Sequence, residues 1–126
     1  MESINLVAAW IGIAAGMLSG AVMGLNFQRE SWLGGYSSWS RRLIRLAHIS
    51  FFGLAFVNLS YALSVRSYGI ESDLRLTSTL LVLGAITMPI VCYLAAWKKQ
   101  LRYLFPVPVL CLLTGVVIFT IKGVLS

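Results

Sequence analysis

Four long apolar segments divide this chain of 126 residues, and they constrain its fold more than any other feature. Each segment holds about 20 mainly apolar residues, the length that an α-helix needs to cross the hydrocarbon core of a bilayer. The linkers between them are short, so consecutive helices must run antiparallel. The sequence therefore predicts an all-α integral membrane protein, an antiparallel bundle of four transmembrane helices in a single domain (1–126). The predicted spans are residues 4–25, 42–65, 74–97 and 104–125.

Composition and charge agree with this interpretation. The chain is 59% hydrophobic and 11% charged, whereas ordinary soluble domains carry roughly 25% charged residues. In a soluble protein the net charge of +6 would suggest a nucleic-acid partner. Here the basic residues lie at the ends of apolar segments, where they meet lipid headgroups. We therefore expect membrane lipid, and no nucleic acid, as the partner of these charges.

The distribution of lysine and arginine predicts the orientation. The first and third loops with their flanks hold seven basic residues, and the second loop and the C-terminus hold three. Because basic residues are retained on the cytoplasmic side, the first and third loops are predicted to be cytoplasmic. Both termini are then on the non-cytoplasmic side, and a multi-pass protein of the cell inner membrane is expected.

The predicted spans contain no deeply placed charge, which argues against several function classes. Ion-coupled transporters usually keep buried carboxylates for the coupling ion. Hydrolases need a nucleophile, a base and a group that orients the base, and this chain has a single histidine. We therefore expect a protein that is not an enzyme.

A regular series of glycines marks the first span. Gly12, Gly16, Gly20 and Gly24 recur every four residues, which places them on one ridge of a helix. Missing side chains let another helix approach closely within the membrane. The ridge predicts either packing inside the chain or a seam with a partner or a second copy. The candidate counterparts are Gly53, Ala55, Gly84 and Ala85.

His48 is the one candidate cofactor ligand. It lies within the predicted second span, and an ionisable residue there is a functional hypothesis. Haem ligation would need a second axial ligand from a methionine, another subunit or a symmetry mate. A metal site with Cys92 and Cys111, near Met88, is a second alternative. The third is a histidine bound only to a carbonyl or phosphate, with free thiols and no metal.

Pro89 interrupts the predicted third span. Proline has no N–H, so the carbonyl of Ala85 loses its regular helical donor. A kink is expected there, and the freed carbonyl needs a donor from a neighbouring helix, a threonine such as Thr87, or water.

These features favour a small non-catalytic membrane subunit of a larger complex, with a respiratory or electron-transfer complex as the leading class. The segment 41–48 resembles small bacterial membrane proteins associated with respiratory or haem chemistry, over about one helix. One alternative is a haem- or metal-binding electron-transfer protein that uses His48. Another is a small exporter or channel that forms a homo-oligomer along the glycine ridge.

Overall fold

The computed structural model describes residues 2–126 and consists of helices joined by short connections. All four helical segments are long and apolar enough to cross a membrane. The predicted all-α membrane bundle is confirmed, and the chain is a multi-pass membrane protein. The helices are α1 (Glu2–Phe27), α2 (Trp39–Tyr68), α3 (Arg75–Trp97) and α4 (Pro106–Phe119).

The fourth span is irregular at both ends. Helix α4 has 14 residues, about 21 Å at a rise of 1.5 Å per residue, which is short of the roughly 30 Å hydrocarbon core. A 3₁₀ segment, Lys99–Leu104, precedes it, and a π-helical turn, Thr120–Val124, continues it. Together these pieces supply the length of the span. Pro106 is the first residue of α4, where its missing N–H costs no helical hydrogen bond.

The helices pack in chain order rather than as a closed ring. Helix α1 packs on α2, α2 on α3, and α3 on α4, while α1 also touches α3. Helices α1 and α4 therefore flank the central α2–α3 pair on two sides. On α3, Gly84 packs against Leu112 of α4, and Leu81 packs against Gly115 of α4. A different face of α3 is turned toward α1.

Helix α2 has a defined cap at each end. The Ser38 side chain accepts a hydrogen bond from the Arg41 backbone N–H at 3.2 Å, which satisfies one of the free first-turn amides. Gly69 ends the helix in the left-handed conformation, with φ at 58°, a region that glycine enters without steric cost.

The first loop is ordered around Arg41, which is 3% exposed. Its guanidinium donates to the carbonyls of Trp32 and Arg29. It also lies 5.0 Å from the ring centre of Phe27 and 5.6 Å from that of Trp32. Carbonyl oxygens and aromatic faces thus compensate this buried charge without a carboxylate.

Candidate functional site around His48

His48 is half-buried on α2 and faces α1. Its Nδ1 lies 2.9 Å from the Ser19 hydroxyl oxygen of α1, and its ring meets the Phe52 ring edge-on at 5.4 Å. The hydroxyl of Ser19 also donates to the Gly16 carbonyl at 2.9 Å. His48 is therefore held from two sides, by its own helix and by its neighbour.

The Ser19 hydroxyl has one proton and two possible acceptors, the Gly16 carbonyl and His48 Nδ1. When the proton is directed at Gly16, the Ser19 oxygen accepts from His48, so that Nδ1 carries the ring proton and Nε2 carries the lone pair. In that tautomer the imidazole is oriented to act as a ligand through Nε2.

The other ring nitrogen, Nε2, is the candidate ligand atom. Nothing within residues 2–126 forms a hydrogen bond with Nε2. Over the same residues, Thr77 Oγ1 is the one fully buried side-chain polar atom without a partner, so Nε2 is not sealed inside the chain. The site can thus offer one nitrogen ligand within a helix that is long and apolar enough to cross a membrane.

The glycine ridge faces α2 along most of its length. A side-chain carbon built on Gly12 would lie 3.1 Å from Ala55 Cβ. One on Gly16 would lie 2.7 Å from the Phe52 ring, and one on Gly20 would lie 2.7 Å from His48 Cε1. The ridge in this structure therefore makes room for aromatic side chains of α2.

The other ridge positions and candidate counterparts differ from one another. A side-chain carbon on Gly24 or Gly53 would meet no neighbour within 4 Å. Gly84 faces Leu112 of α4 rather than the ridge. Ala55 is thus the candidate counterpart that packs against a glycine of the ridge, Gly12.

The two cysteines do not join His48. Cys92 is fully buried and Cys111 is partly buried, and both are free thiols. In the part of the chain that the structure describes, no three histidine, cysteine or acidic residues are placed to hold a metal ion. The arrangement leaves His48 as a single ligand.

A buried polar network joins three helices, and two of its members, Asn5 and Ser78, were not found from the sequence. Asn5 of α1 donates to Asn58 of α2 at 2.8 Å and accepts a hydrogen bond from the Ser78 hydroxyl of α3. Asn58 donates to the carbonyls of Leu54 at 3.0 Å and Leu81 at 3.3 Å. Both asparagines are 0% exposed. The network holds α1, α2 and α3 in one register.

A groove opens between α1 and α3, with α2 as its floor. Its volume is about 520 Å³, within the range of ligand pockets. On the α1 side, three small residues, Ala8, Gly12 and Ala15, alternate with Ile4, Val7 and Ile11. Ala85 and Pro89 line the α3 side. The Thr87 hydroxyl donates to the Leu83 carbonyl at 2.7 Å, so Thr87 does not donate a hydrogen bond to the freed carbonyl of Ala85.

No protein-family model matches the chain, and neither a curated protein nor a solved structure shows significant similarity to it. A functional interpretation therefore depends on the contacts described above.

Proposed function

We propose that this chain is a small non-catalytic subunit of a larger membrane complex, and that a transmembrane helix of a partner subunit occupies the groove between α1 and α3. The observation that carries the proposal is the groove itself. Helix α4 packs on a different face of α3 and leaves the groove open.

The lining of the groove suits a transmembrane helix. Ala8, Gly12 and Ala15 follow one another at spacings of four and three on α1, so they form a stripe of small residues on which another helix can lie closely. Ala85 and Pro89 line the same groove, and Pro89 leaves the carbonyl of Ala85 without its regular helical donor. A polar side chain of the partner helix can donate to this carbonyl.

Paired leucine substitutions test the occupant of the groove. Ala8→Leu with Ala15→Leu fills it, and Ala14→Leu with Ala21→Leu adds the same groups at exposed α1 positions outside it. The groove variant is expected to lose its partner polypeptides on purification from its own membrane, while the control keeps them. Equal retention of the partners by both variants would overturn the proposal.

We also propose the orientation with both termini outside the cytoplasm. Seven of the ten basic residues cluster at the end of the bundle where α1 ends and α2 begins, and the positive-inside rule makes that end cytoplasmic. A reporter enzyme that works only outside the cytoplasm should be active when it is fused to the C-terminus. Activity of a cytoplasmic reporter at that position would reverse the orientation.

A second candidate function is an electron-transfer subunit in which His48 is an axial haem ligand. The observation that favours it is the Ser19 contact, which holds Nδ1 and leaves Nε2 without a hydrogen bond among residues 2–126. The tautomer with its proton on Nδ1 would bind iron through Nε2. A single ligand of this kind fits a haem shared with another subunit, in line with the first proposal.

Absorption spectra of the protein from its own membrane test the haem proposal. A Soret band is expected that disappears in His48→Ala and changes in Ser19→Ala, because Ser19 orients the ring. Ser50→Ala is the matched control, since Ser50 bonds only to Ala47 of its own helix, and it should leave the spectrum unchanged. A colourless wild-type protein would rule out this candidate.

A further inference from the structure

Trp39 is held rigidly at the basic end of the bundle. Its indole N–H donates to the Ala95 carbonyl at 2.7 Å, and the neighbouring Ser40 hydroxyl donates to the Ala96 carbonyl at 2.9 Å. Both acceptors belong to the last turn of α3, whose final carbonyls lack helical donors. The start of α2 is thereby fixed to the end of α3, and the plane of the indole ring is fixed with it.

Two cations from different elements meet this fixed ring. The guanidinium of Arg42 on α2 lies 5.7 Å from its centre. The ammonium group of Lys99, in the 3₁₀ segment after α3, lies 5.0 Å from its centre. Cation–π attraction stabilises each approach, whereas the two positive charges repel each other. We call this cluster of Trp39, Arg42 and Lys99 the Trp39 clamp.

The donors of the clamp are free. Neither the Arg42 guanidinium nor the Lys99 ammonium has a hydrogen-bond acceptor or a carboxylate partner within residues 2–126. Two neighbouring cations differ, because Arg45 donates to the Tyr36 carbonyl and Arg102 donates to the Lys99 carbonyl. Lys98 lies 4.7 Å from the centre of the Trp97 ring and is not part of the clamp. The ion pairs that the described residues form lie at the opposite end, where Glu2 and Asp73 are found.

We propose that the Trp39 clamp is a binding site for the phosphate of an anionic membrane phospholipid. The phosphodiester oxygens accept from the free donors of the clamp, and the added negative charge offsets its positive charges. The clamp lies where α2 begins and α3 ends, which is the depth of lipid headgroups in a spanning bundle. The lipid tails can then pack along the apolar surfaces of the same helices, which a soluble phosphate cannot do.

Lipid titration of the purified full-length protein, followed by native mass spectrometry, tests the site. Phosphatidylglycerol is the probe, with zwitterionic phosphatidylcholine and soluble glycerol phosphate as comparisons. Arg42→Gln with Lys99→Gln should weaken phosphatidylglycerol binding about 30-fold, taking about fivefold for each basic side chain near the surface. Arg42→Lys with Lys99→Arg keeps both charges and should bind like the wild type.

The matched control separates the clamp from a diffuse basic surface. Arg29→Gln with Lys98→Gln removes the same two charge types from the same end of the bundle. It loses only the general attraction of a basic surface for anionic lipid, so its loss of binding should be clearly smaller than that of the Arg42 and Lys99 pair, which also loses hydrogen bonds to the phosphate. Circular dichroism should show the same helix content in every variant, since the substituted residues are exposed. Equal losses in the two glutamine pairs would overturn the proposal. Loss in the charge-conserving pair, or equally tight binding of phosphatidylcholine or glycerol phosphate, would do so as well.

Discussion

Replacing Asn58 by leucine tests the three-helix polar network most sharply. The Asn58 amide makes two hydrogen bonds to other helices, accepting from Asn5 at 2.8 Å and donating to the Leu81 carbonyl at 3.3 Å. Such bonds in a membrane average about 0.6 kcal/mol and reach about 1.7 kcal/mol. Leucine is similar in length and makes neither bond, so Asn58→Leu should lower the free energy of unfolding by about 1–3 kcal/mol.

The assay is reversible unfolding in mixed micelles with an increasing fraction of a denaturing detergent, followed by tryptophan fluorescence. Asn26→Leu is the matched control, because Asn26 lies near the end of α1, where it donates to Val22 of its own helix and accepts from the exposed Arg29 side chain. Within residues 2–126 its side chain bonds to no other helix. Its effect should stay within about 0.5 kcal/mol. A double-mutant cycle with Asn5→Leu should give a coupling energy of about 0.6–1.7 kcal/mol.

Three results would refute the reasoning about this network. The first is an Asn58→Leu protein that is as stable as the wild type or more stable. The second is an equal loss in the Asn26→Leu control. The third is strict additivity of the Asn5 and Asn58 substitutions, since the structure joins these two side chains directly.

Two further predictions concern His48 and the first loop. Gly20→Ala should be less stable than Gly24→Ala by about 1–3 kcal/mol in the same unfolding assay, because the new carbon meets His48 Cε1 at 2.7 Å whereas Gly24 has open space; equal stabilities would contradict the packing. Arg41→Gln removes two carbonyl bonds and two ring contacts, so it should cost about 1.5–3 kcal/mol and speed chymotrypsin cleavage within residues 26–40. Arg45→Gln removes one exposed carbonyl bond and one ring contact of the same loop, so both of its effects should be smaller.

The helices could be predicted from the sequence because apolar length is a local property. The structure extends α1 and α2 beyond their predicted spans, to Glu2–Phe27 and Trp39–Tyr68. Polar and charged residues at the headgroup level remain helical, so the length of the apolar segment underestimates the length of the membrane helix. The fourth span shows the reverse, since its apolar segment is regular α-helix only over Pro106–Phe119.

The contacts between helices could be predicted only in part. The repeat of four indicated that the glycine ridge allows close approach, but the identity of the facing helix depends on how each helix is rotated in the bundle. The same limit hid the partners of Asn58, because Asn5 and Ser78 are single polar residues far from it in the chain. The contact between Ser19 and His48 depends on the relative height of α1 and α2, which the sequence does not give.

The most direct test of the proposed function is a native mass spectrum of the protein extracted gently from its own membrane. The proposal predicts a stable assembly whose mass includes other polypeptides, and a haem mass in that assembly would identify His48 as its ligand once His48→Ala abolished it. A bare monomer, or an assembly of this chain alone, would contradict the central claim that the groove between α1 and α3 holds a helix of another subunit.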